Sequence, residues 1–357
     1  MIRRYELPPS PAILVIALRR IGDVLLTTPL LRSLRRARPD AKIDALVFTD
    51  TAGILKGNPD LNDVIAMPQR ATIAQSIALA TRLWKRYAVA VSTQTGDRPS
   101  FFTFVAGRVA VGPVDDRFTG RLKQFFFHRS MRARSNVHRV EEVLSLADLL
   151  GIERVSELVP PKFSKIPQIT SGGPYAVIHA VPMYRYKQWT QEGWRALATA
   201  LAERGLAIVA TGGPGNVERC FLDEIWNEAK VERVDGRLSW SELSGLLSRA
   251  SVYVGPDTSI THLAAAAGCP TIALYGPTDP RVWGPWPVGG LPQPWMAAEM
   301  IQRRGNVWLI QNPLPCLPCQ LEGCERRLDS YSRCLDELSV SQVLIAVDQA
   351  LAPAVVH

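Results

Sequence analysis

Short apolar, β-branched runs alternate with amphipathic helical stretches along almost the whole chain, and the alternation fails once, between Val159 and Pro174. Ala12–Leu18 (AILVIAL) is a continuous apolar run, the pattern of a strand buried on both faces of a parallel sheet. Val24–Arg36 follows with leucines at 25, 26, 30, 31 and 34, which predicts a helix ending before Pro39. Strands are expected at Lys42–Phe48, Asp63–Met67 and Ala88–Ser92, and helices at Ile73–Arg86 and Val137–Leu150, the last stopped by Gly151. Pro160, Pro161, Pro167, Gly172, Gly173 and Pro174 then crowd one stretch, as in an interdomain linker. Beyond it the alternation resumes with strands at Tyr175–His179, Ala207–Thr211, Val231–Val234, Val252–Gly255 and Thr271–Tyr275. Helices are expected at Thr190–Arg204, Val217–Glu228 and Ser259–Ala267. Ser239-x-x-Glu242 has the form of a capping box opening a further helix to Arg249. Two such series imply an α/β protein of two doubly wound, Rossmann-like domains facing across a cleft, residues 1–165 and 166–357. A C-terminal helix around Val340–Ala350 is a candidate to cross back onto the first domain.

An apolar share of 47% with 21% charged residues excludes a disordered chain. No apolar run reaches the roughly 18–20 residues that span a bilayer. Arg3 and Arg4 precede an apolar stretch, but Arg19-Arg20 stands where a leader's small cleavage residues belong, so the stretch reads as a strand and the protein as cytoplasmic. Charge is uneven. Up to Thr170 there are 26 Lys and Arg against 15 Asp and Glu, and thereafter 15 against 18. A basic first half suits an anionic partner: nucleic acid, a membrane surface or a phosphorylated substrate. Within it Arg117–Arg139 surrounds Phe125-Phe126-Phe127 with Arg121, Lys123, Arg129, Arg132 and Arg134. That patch can rest peripherally on an anionic membrane, hold a phosphorylated acceptor, or tuck its phenylalanines inwards. No nucleic-acid-binding module accompanies it.

Ligands of open α/β sheets bind beyond the carboxyl ends of strands, so the strand-to-helix turns carry the candidate chemistry. Arg19-Arg20-Ile21-Gly22-Asp23 follows the first strand, and Asp23 reads either as a general base or as a helix N-cap. A lone Gly22 is no dinucleotide fingerprint. Gly255-Pro256-Asp257-Thr258-Ser259-Ile260-Thr261-His262 joins a strand to a helix start, where free N–H groups and the helix dipole favour an anion such as a diphosphate. There Thr258 and Ser259 offer hydroxyls, Asp257 an acceptor for sugar hydroxyls and His262 a donor; a capped core helix with a satisfied histidine is the plain alternative. The loop from His179 to Trp189 carries Lys187, a flexible cation able to reach a departing diphosphate, with Arg185 beside it. Gly212-Gly213-Pro214 permits close backbone approach after another strand. Cys316-x2-Cys319-x4-Cys324-x9-Cys334 can close a structural zinc or iron site, pair by oxidation, or pack as reduced thiols, whereas Cys220 and Cys269 read as core residues.

Taken in order, these pieces resemble glycosyltransferase family 9, the bacterial heptosyltransferases of lipopolysaccharide core assembly. The resemblance runs from Gly22-Asp23-Val24-Leu25-Leu26-Thr27-Thr28-Pro29 to Cys334-Leu335. It is carried best by Asp257-Thr258-x3-His262-Leu263-Ala264-Ala265-Ala266, Gly268-x-Pro270, Tyr275-Gly276-Pro277-Thr278-Asp279-Pro280 and Lys187-x-Trp189. It implies a GT-B architecture and inverting transfer of a heptose, usually from an ADP-linked donor, to a sugar hydroxyl of the lipid-linked inner core. By that resemblance the N-terminal domain receives the acceptor and the C-terminal domain the donor. Asp23 is then the base, while Lys187 and the Thr258-Ser259 helix start stabilise the diphosphate without a catalytic metal. Asp257 holds the sugar, and His179, Gly212, Gly213, Leu238 and His262 complete the donor pocket. The chain departs from the family pattern at Ser259 (usually Gly), Thr190 (usually Pro) and Val181-Pro182-Met183, which replaces hydroxyl residues. All three fall in the donor pocket and bear on which nucleotide sugar is used. Another nucleotide-sugar donor, or a non-catalytic nucleotide-sugar-binding scaffold, are the competing readings.

Overall fold

The computed structural model describes residues 10–164, 167, 172–227 and 229–352, the side chains of Thr119 and Arg121 excepted. Arg3, Arg4, the Arg121 side chain, Glu228 at the expected end of one helix and part of the expected linker lie outside the described residues. The chain divides into two compact units at Pro161/Lys162, four residues ahead of the boundary expected from the proline-rich stretch.

The first unit runs β1 (Ala12–Ala17), α1 (Ile21–Leu25), α2 (Thr28–Ala37), β2 (Lys42–Phe48), β3 (Asp63–Met67), α3 (Ile73–Leu83), β4 (Tyr87–Ser92), α4 (Asp97–Ala106), β5 (Gly107–Val114), α5 (Phe118–Gln124), β6 (Arg129–Arg132) and α6 (Arg139–Leu150). Its six strands form a parallel sheet in the order β3-β2-β1-β4-β5-β6. The chain winds outwards from β1 in one direction and from β4 in the other, so the topological switch point lies between them. Residues 13–16 of β1 are all but inaccessible to solvent, as a strand covered on both faces requires. The helix expected over Val24–Arg36 is two helices. Pro29 has no N–H to give the Leu25 carbonyl, and the Thr28 hydroxyl donates to that carbonyl instead, at 2.8 Å. Neither α4 nor β5 was expected. The strand starts directly at Gly107, where a Cβ would stand 2.7 Å from the Ala90 Cβ.

The second unit runs β7 (Tyr175–His179), α7 (Gln191–Glu203), β8 (Ala207–Thr211), α8 (Asn216–Trp226), β9 (Glu232–Arg233), α9 (Trp240–Leu247), β10 (Val252–Pro256), α10 (Ser259–Ala266), β11 (Thr271–Leu274), α11 (Pro280–Trp283), β12 (Ile301–Arg304), β13 (Val307–Ile310), α12 (Arg333–Asp336) and α13 (Val340–Leu351). The strand order is β12-β13-β11-β10-β7-β8-β9, parallel apart from β12, which pairs antiparallel with β13. Here the switch point lies between β7 and β10. The capping box opening α9 is complete: the Ser239 amide donates to Glu242 at 2.8 Å and the Glu242 amide to the Ser239 hydroxyl at 3.3 Å. The C-terminal helix α13 does not bear out the expected crossing. Its apolar face (Val343, Ala346, Val347) is buried with Trp308 and Leu335 in the core of its own unit. Among the described residues no helix is long and apolar enough to cross a membrane.

Candidate active site

In each unit the candidate residues gather where the strand order reverses. In the first, Thr93 at the end of β4 donates its amide to the Ile16 carbonyl of β1 at 3.1 Å, and Gln94 reaches the Leu18 carbonyl at 2.8 Å. Asp23 sits in the first turn of α1, just beyond β1. The N-cap of α1 is Arg20, without a side-chain capping bond, so Asp23 is not the helix cap that the local sequence allowed. Its carboxylate, 9% exposed, faces two guanidinium groups instead: Arg19 Nε at 2.9 Å and Arg139 Nε at 3.7 Å. Arg139 is itself buried. It donates to the Thr93 carbonyl at 2.7 Å and to Glu142 at 2.6 Å. Burial, with Arg19 nearby, lowers its affinity for a proton, while Asp23 and Glu142 oppose that shift.

In the second unit the loop after β7 and the start of α10 meet. Lys187 Nζ lies 2.5 Å from Asp257 Oδ2. Burial alone would raise the Asp257 carboxyl, but Lys187 beside it, His262 and a bond from Thr278 outweigh burial and hold it below the usual carboxylate range. The Tyr275 hydroxyl is 3.4 Å from Asp257 Oδ1 and donates to the Trp283 carbonyl at 2.7 Å. Thr258 caps α10, its hydroxyl 3.5 Å from the Thr261 amide, and the buried Tyr253 hydroxyl lies 2.9 Å from that of Thr261. Lys187, with Asp257 as its counter-ion, thus stands at the positive end of α10, an arrangement able to receive an anionic group.

The Lys187 loop is anchored from behind. Trp189 is buried edge-on to Trp194 and donates to the Leu338 carbonyl at 2.8 Å. The Ser332 hydroxyl donates to the Tyr186 carbonyl at 2.6 Å. Arg185 is exposed and bears electrostatically on Asp336 rather than on Asp257.

The other expected donor residues divide. His179 is buried, and its Nδ1 lies 3.2 Å from the Thr211 carbonyl and 3.1 Å from the Thr211 hydroxyl. Burial pushes its pKa down to about 4, against partial compensation from the Thr211 and Val181 backbone, so the ring is neutral and ties β7 to β8. The Gly213 amide donates to Glu218 at 2.6 Å, and at Gly212 a Cβ would stand 2.5 Å from Leu222. Leu238 and Ser259 are half-buried, in the turn before α9 and at the first position of α10.

The four clustered cysteines are free thiols: Cys316 and Cys324 exposed, Cys319 half-buried, Cys334 buried. Burial pushes the Cys334 thiol up to about 12, with Cys319, Cys324 and Cys316 adding to it. Among the described residues no three His, Cys, Asp or Glu side chains are grouped to hold a metal ion. Cys269 is buried as expected, but Cys220 is exposed, because α8 buries Leu222, Ile225 and Trp226 on its other face.

The family model for glycosyltransferase family 9 (heptosyltransferase) matches residues 77–289. The chain belongs to glycosyltransferase family 9. It is 30% identical over 285 residues to lipopolysaccharide heptosyltransferase 3 of Escherichia coli, covering 74% of this chain and 83% of that protein. It is 26% identical over 349 residues to lipopolysaccharide heptosyltransferase 1 of Pseudomonas aeruginosa, covering 93% and 92%. The solved E. coli heptosyltransferase WaaC with ADP superimposes with a TM-score of 0.74 at 23% identity, covering 95% of this chain and 99% of that one. As a family 9 member the protein is a glycosyltransferase, and its two Rossmann-like units are those of a GT-B enzyme. The matched range contains Lys187 and Asp257–His262 but begins after Asp23. Arg139, Tyr275 and Ser332 are contributors to which the sequence reading gave no role. Only Tyr275 carried a signal, as the first residue of the Tyr275–Pro280 motif.

Proposed function

We propose that the protein transfers a heptose from ADP-heptose to a sugar hydroxyl of the lipid-linked lipopolysaccharide inner core, with inversion at the transferred carbon. The acceptor, a cytoplasmic-face inner-membrane lipid, is assigned to the basic first unit and the donor to the second. The Asp23 carboxylate takes the proton of the attacking hydroxyl as its oxygen bonds to the anomeric carbon. The bond from that carbon to the diphosphate breaks on the opposite face, and ADP departs with the bonding pair. Lys187 and the start of α10 meet the charge that develops on the diphosphate, and Asp257 turns from Lys187 towards the sugar hydroxyls. The observation that carries this reading is the Lys187–Asp257 pair at the capped N-terminus of α10, beyond the switch point of the donor-type unit. In this scheme the side chains supply the electrostatic stabilisation, and no catalytic metal is required. The relatives' heptosyltransferase names and the ADP held by the E. coli neighbour support the choice of donor.

A different nucleotide sugar is the second reading, favoured by Ser259 and by Val181-Pro182-Met183 in the donor loops. Titration of ADP, UDP and GDP against the purified protein, followed by ADP-heptose turnover on core-truncated lipopolysaccharides, separates the two. Selective ADP binding with transfer to one truncation is expected. Preference for UDP or GDP would replace the donor, and binding without transfer to any truncation would make the protein a scaffold.

A further inference from the structure

Right-handed crossovers place α3, α4 and α5 on one face of the first sheet, and this face is apolar where it meets water. Of the three consecutive phenylalanines, Phe127 is the anchor: it is buried, with its ring 4.9 Å from that of Phe104. Its neighbours turn outwards. Phe125 is 86% exposed, Phe126 64% and Phe118 75%. Ile73 and Trp84, at the two ends of α3, are also exposed. α5 is held to α4 by Lys123, 2.5 Å from Asp97, and by the Phe104–Phe126 ring pair at 5.5 Å. Monomeric proteins rarely leave so many large apolar side chains uncovered on neighbouring elements.

The charge around these rings identifies what covers them. Residues 70–134, which carry α3, α4 and α5, hold 12 Lys and Arg against three acids, Asp97, Asp115 and Asp116; Arg129 and Arg134 turn to the Leu149 carbonyl and the Ser145 hydroxyl of α6, which leaves ten. Asp97 is engaged by Lys123, and Asp116 lies 3.5 Å from Arg132. Aromatic rings standing out of a cationic field match the two layers of an anionic bilayer surface, acyl chains below and phosphate above. A nucleic acid would take the charge but not Ile73 and Trp84, and a second copy of this chain would bring the same positive field.

We propose that the α3–α5 face docks on an anionic phospholipid surface, with Phe118, Phe125 and Phe126 entering between the head groups and the surrounding arginines meeting the phosphates. This deepens the reading above, in which the acceptor is lipid-linked, by naming the surface that brings the first unit to it.

The test is co-sedimentation of the full-length protein with vesicles of phosphatidylethanolamine and phosphatidylglycerol, and with vesicles of phosphatidylcholine alone. The wild type is expected to partition onto the anionic vesicles and poorly onto the neutral ones. The Phe118→Ser/Phe125→Ser double variant is expected to lose about tenfold or more in partitioning. Both rings are exposed, so its melting temperature and ADP affinity should match the wild type. Equal partitioning of the variant, or none by the wild type, overturns the proposal. So does a dimer in sedimentation, or tight RNA binding, that the double variant abolishes. ADP-heptose turnover is read separately: vesicle binding without turnover would remove the proposed reaction and leave this surface standing.

Discussion

Asp23 and Lys187 are each met by opposite charge, and what meets them separates their roles. Asp23 has Arg19 one helical turn back in sequence and Arg139 at the far end of the unit's chain. Arg139 is locked by Thr93 and Glu142, so the carboxylate is oriented by a side chain that cannot swing away. Asp23→Asn keeps the shape and removes the proton acceptor. Turnover should fall by about 10²–10⁴-fold with ADP affinity unchanged, measured by single-turnover transfer and calorimetry. Retained turnover would show that the carboxylate only braces the two arginines. Under the proposed reaction Lys187→Ala acts on the donor instead. A charge-assisted contact is worth about 1.5–3 kcal/mol, so ADP affinity should fall about 10–150-fold, and Lys187→Arg should recover part of it. Unchanged affinity would exclude contact with the diphosphate. Of these partners only Arg19 stands at a spacing from which the sequence could have suggested the pair, because one turn of spacing is a local property. Arg139 was not, since its approach to Asp23 depends on strand order, which no periodicity reports.

Nine strands are legible in the sequence at nearly their observed bounds, most of them because parallel strands buried on both faces leave continuous apolar runs, whereas β5, β6, β12 and β13 are not. The misses came where backbone details override pattern. Pro29 splits α1 from α2 although the leucine spacing runs on, and Gly107 lets β5 start without a loop in a stretch too apolar throughout to show a period. The loop holding Lys187 belongs to this scale as well. Its placement after β7 was evident in sequence, but its rigidity comes from a segment more than a hundred residues away, where Ser332 binds the Tyr186 carbonyl. The cysteine-rich segment therefore braces the Lys187 loop from behind. Ser332→Ala should cost about 1 kcal/mol of stability and weaken ADP binding a few-fold, because the loop loses one buried bond and gains freedom. Denaturant unfolding together with ADP titration reads both. Lost stability with unaltered ADP affinity would make the brace structural only.

For the molecule as a whole, burial of His179 sets an acid limit on folding. The ring is neutral in the folded protein, with a pKa near 4, against 6.5 when the chain is unfolded. Between those values the unfolded state binds the extra proton, so stability rises with pH across that window. The contribution is fully present above 6.5, is lost progressively as pH falls, and is gone below 4. A shift of that size corresponds to about 3 kcal/mol, a large part of the 5–15 kcal/mol typical of a domain. Asp257, held below its usual range, loses its contribution only at still lower pH and does not mask this window. Stability by denaturant unfolding should therefore fall between pH 6.5 and pH 4 in the wild type. His179→Asn keeps a donor for the Thr211 carbonyl but cannot titrate. Its stability should be lower than wild type at neutral pH and flatter across the window, so that the two curves converge towards acid. A variant with the same slope as the wild type would show that the charge penalty lies elsewhere in the second unit.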